Sequence, residues 1–356
     1  MKIKAILSEA LRNVMSGTSR FALLAAGFGL IVGALGVMDA RSIVTLQWQT
    51  HAHISAGGAI RTVGSPGNID GETCERLANV DGIKGVGSLR QSTPLILLAM
   101  PDNPIPLYAA SPGFGKVLGL SEQAHTGLWL SHQVAEKTGL KTGARVETSQ
   151  GRTVVAGVFD YPSDGRDPRL EYAAVTTTTK DERADECWAI VWPPSPQRND
   201  LIRTAVVATD PSIRVTDGVL NSAAGIGLVP AEAFQQRTTR FAPWGALAAG
   251  ATLAFFAVIR RRLEYAAALH SGASKPNIAA IAFVEVAAWE GIGTLIAFGA
   301  IALAVTIEIP AGSMPLDVLG ITTEGPALAF VGGIFGTAIG MLVVRERHLF
   351  RYFKER

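Results

Sequence analysis

Apolar residues in this chain gather into one amphipathic lead and four long runs, with a stretch of mixed character between the first run and the second. In the lead, Ile3, Ile6, Leu7, Ala10, Leu11, Val14 and Met15 recur at three-and-four spacing, and Lys4 and Arg12 lie off that stripe. The pattern predicts a helix over 1–20 lying on a membrane surface. The runs 21–38, 243–259, 277–306 and 326–344 each predict a transmembrane helix. The shortest holds 17 residues, about 26 Å of helix, which with polar flanks just crosses a bilayer core.

Residues 39–242 read differently. Strands are expected at 153–159 and 203–209, each closed by turn residues, and helices at 71–78 and at 131–138, the latter capped by Ser131. Pro230 opens a helix expected to run through Phe241 toward Trp244, a descending stalk. On the ascending side Val44, Leu46 and Trp48 alternate as in a strand, so strand and helix both stand there. A segment this long buries its own core and is expected to be an α+β domain.

Charge then orients the chain. Lys2, Lys4, Arg12 and Arg20 precede the first run, Arg260, Arg261, Arg262 and Lys275 fill the turn at 260–276, and Arg345, Arg347, Arg351, Lys354 and Arg356 follow the last. The short loop 307–325 carries Glu308, Asp317 and Glu324 and no Lys or Arg. The positive-inside pattern therefore assigns both termini, the turn at 260–276 and the tail at 345–356 to the cytoplasm, and 39–242 and 307–325 to the outside. A secretory signal is the competing reading of the first 38 residues; the long amphipathic lead and the lack of a small-x-small cleavage site oppose it. With 48% hydrophobic and 17% charged residues among 356, the composition fits neither an ordinary soluble domain nor a pure membrane bundle.

The turn at 260–276 is the centre of this plan. Three arginines end the second span, Glu264 to Leu269 favour helix, Gly272 can end that helix at positive φ, and Ser274 or Lys275 can cap the next, with Pro276 in its first turn. Arg260-Arg261-Arg262, Glu264-Tyr265-Ala266, Gly272-Ala273-Ser274 and Glu285 resemble, in order and spacing, the cytoplasmic loop of the MacB/FtsX family of ABC transporter permeases, although Leu269-His270-Ser271 stand where Arg-Ala-Leu is common. The family's N-terminal lead resembles 10–13 followed by Arg20. A third segment, Gly127 to Ser131, Val134-Ala135, Gly139-Leu140, Gly143 and 154–158, resembles part of its outer domain.

The resemblance implies a membrane protein with four transmembrane α-helices and a large extracytoplasmic α+β domain carried on helical stalks, in the cell membrane. It implies a non-catalytic permease subunit paired with a second permease, identical or paralogous, and served by a cytoplasmic ATPase. ATP and Mg would be bound by that ATPase and no cofactor by this chain; the sequence has no Gly-x4-Gly-Lys-Ser/Thr loop. The output expected is export or extraction of a peptide, antibiotic or lipid-like substrate, with a secreted adaptor as a further partner. Two alternatives are a signalling subunit that activates a cell-wall hydrolase, as in the FtsX branch, and a membrane-anchored binding module without an ATPase.

Other residues are given roles from their own setting. Glu285 and Glu290, acidic inside the third span, are expected to pair within the fold, with Arg260 to Arg262 as partners. Gly29 and Gly33, and Gly332, Gly336 and Gly340, are spaced for close helix packing. Glu264 and Tyr265 are expected to offer one polar and one apolar contact to the ATPase. Cys74 and Cys187 could form a disulfide outside the cell or remain apart. His51 and His53, with no third ligand nearby, are expected to be a solvated pair and not a metal site. No basic-aromatic surface suggests nucleic acid; the remaining partner is membrane lipid.

Overall fold

The computed structural model of the chain describes residues 3–17, 19–120, 127–178, 182–207, 214–224, 230–309 and 315–354. Numbered in chain order, α1 (Ile3–Met15) and α2 (Phe21–Ser55) lead into β1 (Ile60–Asp70), α3 (Gly71–Arg76), β2 (Ile83–Leu97), β3 (Met100–Ala110) and α4 (Phe114–Val117). Then come β4 (Leu128–Ser131), α5 (His132–Thr138), β5 (Arg145–Thr148), β6 (Gly151–Phe159), β7 (Ala174–Thr177), β8 (Arg183–Val191), α6 (Pro196–Ile202) and β9 (Thr216–Val219). The chain closes with α7 (Pro230–Gln236), α8 (Ala242–Arg260), α9 (Arg262–His270), α10 (Lys275–Glu308), α11 (Pro315–Thr322), α12 (Glu324–Val343) and α13 (Leu349–Lys354). It divides into two compact units, a helical one of Met1–Trp48 with Ala231–Arg356 and a sheet unit of Gln49–Pro230.

Four stretches of the described chain are long and apolar enough to cross a membrane: Phe21–Ser55, Thr238–Arg260, Lys275–Glu308 and Pro315–Val343. Close packing in the helical unit depends on missing side chains. A Cβ at Gly332 would strike the Leu247 carbonyl, and one at Gly336 the Ala251 carbonyl, so α12 lies backbone to backbone on α8. From the α8 side, Gly250 meets the Ala329 carbonyl in the same way. Gly29 brings α2 against Gly293 and Ile296 of α10, and Gly33 against Ala297. Phe28 and Trp289, both buried, fill the space beside this contact edge to face at 5.6 Å.

Several expected boundaries move. The first long helix does not give way to a strand at 44–48; α2 continues through Ser55. Ala40, Ile43 and Val44 are buried together with Ile301 and Val305, a helical spacing that outweighs the local alternation. The descending stalk is not one helix. α7 stops at Gln236, Arg237 turns extended (φ −58°, ψ 135°), and a 3₁₀ turn at Thr238–Phe241 precedes α8. The loop at 307–325 is largely helical: α10 runs to Glu308, and α11 starts at Pro315 and buries Val318 and Thr322.

The sheet unit is built on nine strands in the order β3-β7-β4-β6-β5-β2-β8-β1-β9, with an additional β2–β3 pairing. That extra pairing closes six strands into a circuit, from which β8, β1 and β9 extend. The long β2 makes this possible, pairing with β8 through Leu89 and with β3 from Leu89 onward. In β6 the buried positions Val155, Gly157 and Phe159 alternate with more exposed ones, the period of a one-faced strand. Ser131 Oγ accepts from the Val134 N–H at the start of α5, and Gly139 ends it at φ +69°. Trp129, Trp188, Phe114 and Phe159 form the centre of one core cluster.

Residues 203–205 are not strand: they form a 3₁₀ turn after α6, and Val206 makes a single bridge to Ile69. Buried Ile202 and Ala205 anchor this turn in a second cluster; 208–209 lie outside the described residues, as do Val229, Lys2 and Arg356. Cys74 of α3 and Cys187 of β8 are disulfide-bonded, 113 residues apart in sequence. His53 is buried, not solvated. Its Nδ1 lies 3.0 Å from the Ala224 carbonyl, and its ring occupies space left by Gly58.

Candidate functional site

The turn between α8 and α10 is organised by Arg261. This residue leaves helical geometry (φ −96°, ψ 13°) between α8 and α9 and turns its guanidinium inward, so that its side chain is 11% exposed. There its Nε donates to Glu264 Oε2 at 2.8 Å and its Nη1 to Glu285 Oε2, while the guanidinium lies over the Tyr265 ring at 5.0 Å. The second oxygen of Glu285 accepts from Asn13 Nδ2 at 2.6 Å. One buried polar node therefore joins the lead helix α1, the break before α9 and the long helix α10. A lone buried charge would be costly, but here each has a partner.

Among the three arginines only Arg261 takes the role expected for the partner of Glu285. Arg262 lies over the Tyr352 ring at 4.8 Å, and Arg260 ends α8. Glu290 is not paired. It is fully buried, neither of its carboxylate oxygens has a hydrogen-bond partner among the described residues, and it occupies the notch left by Gly333 on α12. The expectation that it pairs within the fold is corrected: packing against a glycine, and not an arginine, determines its place.

Helix α9 ends as its sequence suggests. The Gly272 N–H bonds to the Leu269 carbonyl at 3.1 Å and the Ala273 N–H to the Ala268 carbonyl at 3.0 Å, with Gly272 at φ +96°. These are the two bonds of a Schellman ending, which an L-residue at that φ disfavours. Ser274 then caps α10 in extended conformation, without a side-chain bond, and Pro276 lies in the first turn.

Tyr265, expected to face outward, points in. Together with Ala266 it is buried; Tyr265 packs in a cluster with Val258, Ile278, Ala282, Met341 and Val344, and burial pushes its phenol pKa up. The exposed positions of the turn are instead Arg260, Glu264, Ala267, His270, Ser271, Gly272, Ser274, Lys275 and Pro276. Sequence reading missed Ala267, His270, Ser271, Lys275 and Pro276, although Glu264, Ala267 and Ser271 share one face by helical spacing opposite Tyr265 and Leu269.

At the far end of the helical unit a second set of contacts fixes α2. Arg237 Nε donates to Asp39 Oδ1 at 3.1 Å, with both side chains at most 10% exposed, and the Arg237 guanidinium lies over Phe234 at 3.8 Å. The pairing is made by the residue at which the stalk breaks. Arg41 Nη2 donates to Glu308 Oε1 at 2.7 Å, and Trp48 Nε1 to the Glu308 carbonyl at 2.8 Å. No sequence signal pointed to these pairings.

Among the described residues no group of three or more His, Cys, Asp or Glu side chains is arranged to hold a metal ion. No protein-family model matches the chain. No curated protein matches its sequence. Among solved structures, the periplasmic region of MacB from Actinobacillus actinomycetemcomitans is similar over 51% of this chain and 95% of that one, at 11% identity and a TM-score of 0.36. A domain of a protein described as a permease from Porphyromonas gingivalis is similar over 51% of this chain and 99% of that one, at 15% identity and a TM-score of 0.34.

Proposed function

We propose that this chain is the membrane subunit of an ABC transporter of the MacB/FtsX type, which converts ATP hydrolysis on a separate ATPase into motion of its sheet domain. The observation that carries the reading is the Arg261–Glu285–Asn13 node. A force applied to the exposed face of α9 has no soft joint through which to dissipate, because the node ties α9 to α1 and α10 together. The other support is the unbroken α2, 35 residues long, about 52 Å, which outlasts a hydrocarbon core of about 30 Å and serves as a lever. The motif order around Gly272 agrees with this role. Export or extraction is the output we assign, with work done by the sheet domain and a second permease completing the transporter.

The test uses the full chain in nanodiscs with its candidate ATPase. Ala267→Arg and Lys275→Glu alter the exposed face without touching the Arg261 node, so both should fold and insert, yet lower ATPase recovery at least ten-fold. Undiminished recovery with both would remove the coupling role and favour an anchored binding module. If recovery falls but no substrate is exported while a cell-wall hydrolase is activated, the signalling reading replaces export.

A further inference from the structure

Two cavities open side by side where α8 and α12 end. The larger, about 540 Å³, has Phe256, Ile259 and Leu263 on its apolar side and Arg260 and Arg262 on its cationic side. The second, about 340 Å³, sets Val343 against Arg345, His348 and Arg351. Arg262 and Tyr352 line both. Among the described residues, Glu264, which lines the first cavity, is bonded to Arg261 at 2.8 Å, and Glu346 lies 3.0 Å from His270 Nδ1.

The partition between the cavities is fixed. Tyr352 is 7% exposed, lies under the Arg262 guanidinium, and donates its hydroxyl to the Val343 carbonyl at 3.4 Å. This contact holds α13 against the end of α12 and leaves Phe350 and Phe353 at 86% and 71% exposure. A short helix with two bare aromatics beside Arg351 and Lys354 suits the boundary between headgroups and acyl chains.

We propose that the paired cavities are a binding site for one anionic phospholipid. Its phosphate would sit among Arg262, Arg345 and Arg351, and its acyl chains would run along Phe256, Ile259 and Val343. Within a few ångströms each cavity passes from span-end apolar residues to arginines, and a phospholipid has the same order of chemistry. A free phosphate would leave the apolar walls and both phenylalanines uncovered. An acidic protein segment would have to enter at the depth of the last turns of two spans. The proposal rests on α8 and α12 crossing a membrane and is independent of any ATPase.

The experiment is native mass spectrometry of the detergent-purified full chain, titrated with phosphatidylglycerol or with phosphatidylcholine of the same acyl chains. One phosphatidylglycerol should be retained at least ten-fold more tightly than phosphatidylcholine. Arg345→Gln with Arg351→Gln should weaken that binding about twenty-fold, near five-fold for each charge. Lys4→Gln with Arg12→Gln removes the same charge elsewhere and should change it less than two-fold. Equal retention of the two lipids, or equal loss in both double variants, would show diffuse attraction and overturn the site. Full displacement by millimolar inorganic phosphate would reassign it to a soluble anion. Unchanged lipid retention with lost ATPase recovery in the Arg345/Arg351 variant would reassign it to the ATPase, whereas failure of the coupling proposal alone would leave the lipid result as it stands.

Discussion

Arg261 separates what residue types reveal from what geometry adds. Three consecutive arginines announce the end of a span, but the sequence does not say which of them turns inward. The choice follows from the break at φ −96°, which resets the helical phase and carries Tyr265 into the core. Gly272, by contrast, was legible, because a glycine after a run of helix formers has one natural place, past the C-terminus at positive φ. Removing one member of the node should be worse than removing both. Glu285→Ala leaves the buried guanidinium with only the half-exposed Glu264 as its charge partner and should cost about 3 kcal/mol, whereas Arg261→Met with Glu285→Met should restore much of it. Thermal unfolding in detergent checks the order of the two losses. In the sheet unit, a hydrogen bond from Arg166 at 2.7–2.8 Å holds the Asp164 carboxyl below its ordinary pKa. Its stabilising effect is present above the unfolded carboxylate value and is lost as pH falls through the folded one. Asp164→Asn should therefore cost about 1 kcal/mol at pH 7, allowing for solvent screening, and nothing well below pH 4. A difference in urea midpoint that persists at low pH would exclude the pair as its source.

At the scale of elements, the apolar runs marked the four stretches long and apolar enough to cross a membrane, and the glycine spacing marked packing faces without naming their partners. The partner itself needed the fold: Gly332 and Gly336 meet the carbonyls of Leu247 and Ala251 on α8 of the same chain. The stalks were the least legible elements. Val44 and Trp48 alternate with polar residues, yet one faces a core cluster and the other reaches Glu308, contacts 260 or so residues away in sequence. No local window contains them. Gly336→Leu should wedge α8 from α12, because four carbons cannot fit where a single Cβ already strikes backbone, and a loss of about 3 kcal/mol or more is expected. Gly299, with nothing within 4 Å of its Cβ position, is the control. Gly299→Leu should leave unfolding within about 0.5 kcal/mol of the parent. If both variants unfold alike, the α8–α12 contact is not what holds the helical unit together.

For the whole molecule, the claim with most consequence is which side of the membrane each unit faces. Basic residues at the lead, the 260–276 turn and the tail, against the acidic loop at 307–325, lead the positive-inside rule to expect those three segments inside and the sheet domain outside. The bond between Cys74 and Cys187 fits an oxidising side for the sheet domain. That assignment is open to direct labelling, because the described chain has no free cysteine to react. Ala267→Cys places a thiol on the exposed face of α9, and Gln150→Cys places one at the exposed turn between β5 and β6. Both substitutions lie on solvent-facing positions and should leave folding unchanged. In intact cells a membrane-impermeant maleimide should label position 150 within minutes and leave 267 unlabelled until the membrane is permeabilised. If 267 reacts first, the sheet domain and the coupling turn have exchanged sides. A cytoplasmic ATPase could then not reach α9, and the proposed mechanism would fall with the topology.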